Sequence, residues 1–84
     1  MPADLDEVIL HIAKKQNEKL KVAAQKRHDR YMAMAKRTEK KESKDRYKRI
    51  AKNTLLQAAD AMKRLKETAD KAAASYARSM KKLK

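Results

Sequence analysis

Arg37-Thr38-Glu39-Lys40-Lys41-Glu42-Ser43-Lys44-Asp45 lies in the longest stretch of the chain without an apolar side chain, and an apolar repeat changes phase across it. Before it, one set of positions recurs every eleven residues: Ile9, Ile12, Ala13, Gln16, then Leu20, Ala23, Ala24, Arg27, then Tyr31, Met34, Ala35, Thr38. After it the set is Tyr47, Ile50, Ala51, Thr54, then Ala58, Ala61, Met62, Leu65, then Ala69, Ala72, Ala73, Tyr76, with Met80 and Leu83 opening a further round. Eleven residues in three turns is about 3.67 per turn, close to a relaxed α-helix, so each half can carry one nearly straight apolar stripe. Tyr31 and Tyr47 are sixteen residues apart, which rotates the stripe by about 160° at ~100° per residue. A continuous rod of about 120 Å would therefore carry its two stripes on opposite sides, whereas a turn within the polar run lets them face each other.

The expectation is an all-α, coiled-coil-like protein: a long antiparallel two-helix hairpin that dimerises into a four-helix bundle. Helix 1 is expected over about 4–38, a turn over about 39–43 and helix 2 over about 44–82, making one basic domain of residues 1–84. Asp4 followed by Glu7 resembles a capping box, with Pro2 just outside it. Ser43 can cap helix 2 through its hydroxyl. Glycine, the usual helix stop, is absent, so the turn lacks its commonest signal. Asn17 and Asn53 have no Pro or Gly beside them and read as exposed helical residues. The two arms come out nearly equal, as an antiparallel hairpin requires.

With 42% apolar and 42% charged residues in 84 positions, and with alanine at so many stripe positions, each seam residue buries little area. A lone hairpin of this kind is marginal, and a homodimer is the expected remedy. No segment approaches the ~20 apolar residues of a membrane span, and the first residues are acidic rather than a basic leader, so the expected location is cytoplasmic, with association to the nucleoid an option. Membrane partners are not expected. Cysteine is absent, which removes disulfides and thiolate metal sites.

Charge carries the functional expectation. Twenty-four Lys and Arg stand against eleven Asp and Glu, a net of +13. Residues 1–13 hold three acids and no base, residues 14–52 hold sixteen bases and five acids, and residues 53–84 hold eight bases and three acids. The turn end is thus the electropositive pole, and self-repulsion there favours a neutralising partner. On helix 1, Lys15, Lys19, Lys26, Arg30, Arg37 and Lys41 are spaced 4, 7, 4, 7, 4, which keeps them on one flank as a ridge about 39 Å long. With Lys44, Arg46 and Lys48 at the turn, they form the candidate surface for nucleic acid, each neutralised phosphate releasing counterions. All three tyrosines fall on stripe positions, so stacking of single-stranded bases is not indicated; duplex DNA or structured RNA, read through the backbone, fits better.

A second reading is a regulatory or inhibitory protein that docks its basic face on an acidic protein surface or a nucleic-acid-processing complex. The candidate protein contacts are Val8, Ile9, Leu10 and Ile12 at the acidic start, with Val22, Met32 and Leu56, which fall away from the main stripes. Arg27 interrupts the stripe, and a hairpin centred near residue 43 brings Asp60 to it as a register-fixing ion pair; Gln16 can play a similar part. His11 and His28 point to different sides of helix 1 and read as edge or exposed residues rather than a metal pair. No Gly-rich phosphate loop and no Ser, His and acid set is present, so no catalytic residue, cofactor or metal is expected and the protein reads as a non-enzyme.

Overall fold

The computed structural model describes residues 4–82. Pro2 and Leu83 lie outside them. Two helices, α1 (Leu5–Arg37) and α2 (Lys41–Lys82), fold back on each other as a hairpin, with no strand among the described residues. The stripes pack face to face, and the Cα trace is a narrow slab of 68 × 20 × 6 Å. Its radius of gyration is 19.2 Å, against about 12 Å for a compact chain of this length.

The connection is shorter and earlier than the polar run suggests. Only Thr38, Glu39 and Lys40 lie between the helices, and Lys41 already belongs to α2. Thr38 ends α1 in an extended conformation (φ −83°, ψ 139°) while its N–H still donates to the Met34 carbonyl. No described residue takes a positive φ, so the helix stops without the left-handed residue that glycine usually supplies. The Thr38 hydroxyl then accepts from the Lys40 N–H at 3.4 Å, and the Lys40 carbonyl accepts the first α2 bond from Lys44 at 2.9 Å. Ser43 is therefore the third residue of α2 and not its cap. The dipoles agree with this placement: Lys36 and Arg37 close α1, and Glu42 lies in the first turn of α2. At the other end Asp4 has cap backbone geometry and its carbonyl accepts from Val8, but its side chain caps nothing. The arms are 33 and 42 residues long, so α2 runs past the start of α1.

The eleven-residue repeat survives folding, but the packed columns differ from the apolar ones. On α1 the buried residues are Ala13, Ala24 and Ala35, one column of the repeat. Ile9 and Tyr31 flank it, half-buried, on one side, together with Leu20 at 38% exposure. On the other side the flanking column is Asp6, Asn17 and His28, all half-buried. Gln16, Arg27, Ile12, Ala23 and Met34, which the stripe included, remain exposed. On α2 the buried residues are Ala51, Ala69 and Ala73, with Tyr47, Thr54, Ala58, Met62, Leu65 and Tyr76 partly covered beside them.

A core of six alanines follows from the geometry, since only a methyl group fits at the axis of closest approach and larger side chains are displaced to the rim. Two contacts fix the register. Tyr31 and Tyr47, the pair on either side of the phase change, stack with ring centroids 6.4 Å apart at 28°, an arrangement worth ~0.5–1.5 kcal/mol beyond area burial. Further along, the Asn17 amide Nδ2 donates to the Met62 carbonyl of α2 at 3.3 Å. Asn17 is thus not an exposed helical residue but the polar register contact of the seam. Its Oδ1 is buried without a partner, a cost of order 1–3 kcal/mol.

Candidate nucleic-acid interface

α1 holds the basic ridge in place because four- and seven-residue steps keep Lys15, Lys19, Lys26, Arg30 and Arg37 on its outer flank. All five are exposed. Lys15, Lys19 and Lys26 surround a shallow hollow floored by Val22 and Ala23. From Lys15 to Arg37 the ridge measures about 33 Å, close to one turn of duplex DNA at ~34 Å. Lys41, expected to extend it, instead opens α2, because the chain reverses immediately after Arg37. Of the turn bases, Arg46 is exposed and lies in the same column as Gln57, which lines the hollow shared with Leu20, Arg27 and Tyr31. Lys44 is half-buried and Lys48 exposed; together they line a hollow on the opposite broad face with Met32, Ala35 and Lys36. The ridge is therefore a feature of α1 alone, and the turn bases are divided between two faces.

The electrostatics leave the ridge available. Among the described residues, the side-chain ion pairs within 4 Å are Arg64–Asp60 at 3.0 Å and His28–Asp29 at 3.0 Å. Neither involves a ridge base. Asp60 pairs one turn along its own helix with Arg64, so the expected Arg27–Asp60 bridge does not form. With Asn17 level with Met62 and Tyr31 with Tyr47, Arg27 stands across from about residue 51, roughly two and a half helical turns before Asp60. The hairpin is centred near residue 39 and not 43. Asp29 is the acid with a shifted titration: hydrogen bonds from His28 and then from the Gln25 amide (3.0 Å) hold its carboxyl below the ordinary aspartate range. His28 is only a quarter exposed at its side chain, an edge position in the seam column.

The apolar residues proposed as protein contacts do not come together. Ile9 is half-buried in the seam, Leu10 lines a hollow with Ala13, Asn17 and Met62, and Met32 lies near Lys44. Ile12 is exposed on the other broad face, Val22 among the ridge lysines, and Leu56 on the far edge of α2 at 57% exposure. Val8 is marginally exposed beside the start of α1. Among the described residues no helix is long and apolar enough to cross a membrane, and no three His, Cys, Asp or Glu side chains gather.

Sequence reasoning missed the Asp6, Asn17 and His28 column. Its eleven-residue spacing was there to be read, but a polar column gives no signal in an apolar pattern. No protein-family model, curated protein or solved structure matches the chain.

Proposed function

We propose that the protein is a non-enzymatic, cytoplasmic binder of nucleic acid that grips the phosphate backbone of duplex DNA or structured RNA through the α1 ridge. The observation that supports this reading is the row of five exposed bases, regularly spaced over about one duplex turn and free of ion pairs among the described residues. Each can meet a phosphate without first breaking an internal contact, so counterion release supplies the affinity. Base readout contributes little, because Tyr31 and Tyr47 are occupied with each other in the seam.

The test is a titration of the full chain against labelled duplex DNA, single-stranded DNA and structured RNA at two salt concentrations. Five phosphate contacts predict log affinity falling with log salt at a slope of about −4.5 on duplex DNA. Absence of binding at low salt would overturn the reading and redirect attention to an acidic protein surface as the basic ridge's partner.

A further inference from the structure

The two broad faces of the slab differ sharply in charge. One is formed by the α1 columns through Ile12, Gln16 and Leu20 and the α2 columns through Ile50, Thr54 and Gln57, each repeated every eleven residues. Between Leu5 and Ser79 the only charged side chains in these columns are Arg27 and Arg46. In a chain that is 42% charged, two charges along the whole length of a face is a marked depletion. Its apolar positions are Ile12, Ala23 and Met34 on α1 and Ile50, Ala61 and Leu65 on α2. They belong to the eleven-residue stripe, but the intramolecular seam leaves them uncovered or only partly covered.

The exposed area is large enough to accommodate a partner on this face. The chain exposes 7427 Å², whereas a compact protein of its mass exposes about 5,100 Å². The excess, about 2,300 Å², is well above the ~800 Å² that each partner gives to a standard interface. We infer that the charge-poor face docks a second copy of this chain, antiparallel to the first, forming a four-helix bundle. A second copy fits because the same eleven-residue repeat runs along both helices, so the face meets its own period without a phase mismatch.

Charge sets the orientation. Residues 30–49, at the turn, carry nine bases and three acids, while residues 4–13, at the open end of α1, carry three acids and no base. At that open end the three acids at the start of α1 offset the excess of five bases over two acids in residues 66–82 of α2, so an antiparallel pair lays each basic turn over a near-neutral end, whereas a parallel pair stacks the two basic turns on each other. The ridge borders this face, with Lys19 lining its edge beside Gln16, Leu20 and Ala23, so pairing leaves the rest of each ridge along a side of the bundle. This inference does not depend on nucleic-acid binding, and its test uses no nucleic acid.

Sedimentation equilibrium of the full chain, followed with helicity by circular dichroism, provides the first arm. The wild type is expected at twice 9.7 kDa. Ala23→Glu and Ala61→Glu are expected to weaken association at least 100-fold, while Ala59→Glu, on the other broad face, leaves it unchanged. All three alanines are exposed in the single hairpin, so a lone hairpin would tolerate the three changes alike. If the first two lose helix together with mass while Ala59→Glu keeps both, folding and pairing are coupled through this face, which supports the inference.

A monomer at high micromolar concentration, or dimers indifferent to Ala23→Glu and Ala61→Glu, would overturn it. Orientation is read from a spin label on Glu39→Cys, unique because the chain has no cysteine. A label-to-label separation of about 50 Å or more is expected, from the ~1.5 Å rise over the length of α1. A separation below about 25 Å would refute the antiparallel arrangement.

Discussion

The two faces of this hairpin share one backbone and one eleven-residue period, yet they solve different problems. On the charge-poor face the buried α1 alanines are flanked by Ile9, Leu20 and Tyr31; on the other face the flanking column is Asp6, Asn17 and His28. That second face also bears Lys14, Lys21, Lys36, Lys44, Lys48, Lys66, Asp70 and Lys81 in its outer columns. Both flanks pack against the same α2, so apolarity alone does not decide which columns enter the seam. The alanine column decides it, because only there can two helix backbones approach closely, and whatever stands on either side is carried along. The polar flank makes the Asn17 contact to the Met62 carbonyl, and the apolar flank borders the face on which pairing is proposed.

The largest expected effect breaks the charge contrast outside both faces. Reversing Lys26, Arg30 and Arg37 together to Glu is expected to weaken duplex binding several-hundred-fold near 0.1 M salt and to make the salt slope shallower by about 3, equally for all sequences. A filter-binding series over salt measures both. Sequence-dependent losses would mean that the ridge reads bases.

Overfilling the alanine column comes next. Ala51 is fully buried, so Ala51→Leu is expected to cost ~1–3 kcal/mol, with Tm falling by about 4–8 °C per kcal/mol. Ala61→Leu, at an exposed position ten residues on, is expected to leave Tm unchanged or raise it. Thermal melts of the two variants separate the seam from the face beside it. Equal losses would show that the seam is wider than the alanine column.

Asn17→Leu sharpens the contrast between the flanks. It deletes the bond to the Met62 carbonyl but also the unpartnered buried oxygen, so stability is expected to change by less than ~1 kcal/mol. Register uniqueness is what should suffer, as when a polar seam residue is lost from a coiled coil. Doubling or broadening of amide resonances from α2 residues near Met62 would report it; a single sharp set would assign register to the tyrosine pair alone.

The smallest effect is acidic. Because Asp29 titrates below its ordinary value in the folded chain, its contribution to stability is complete above the unfolded aspartate range and fades as pH falls through the lowered folded value. Wild type and Asp29→Asn should therefore differ in Tm at pH 6 and converge once the pH falls below the lowered folded value. The carboxyl is solvent-exposed, so the difference should be small.

Two helices, their repeat and the ridge were legible in the sequence because each is a periodic signal. Even the fold-back had its marker: Tyr31 and Tyr47, on either side of the phase change, are the residues that stack. The position of the turn was not legible, since Ser43 offers a better cap by residue type than anything near Thr38. Register overrules that preference, and the chain reverses where the tyrosines and Asn17 can both meet their partners. Ile12, Ala23 and Met34 were placed in the seam because apolarity does not say which neighbour covers a column. The Arg27–Asp60 pairing failed for the same reason as the turn, a centre of symmetry placed four residues late.

A single three-residue joint at one end makes the molecule a pair of tongs. Partners at the joint are close in sequence, sixteen residues apart for Tyr31 and Tyr47, while Asn17 and Met62 are separated by 45. Closing the tips therefore orders far more chain than closing the joint, and the tightest packing, at Ala35 and Ala51, sits beside the joint. Amide exchange should rise steadily from the Tyr31 level toward Leu5, with the tips opening and reclosing while the joint stays shut. The ridge spans this gradient, from Lys15 on the tip to Arg37 at the pivot, so a polyanion bound along it as proposed would tie the tip to the joint.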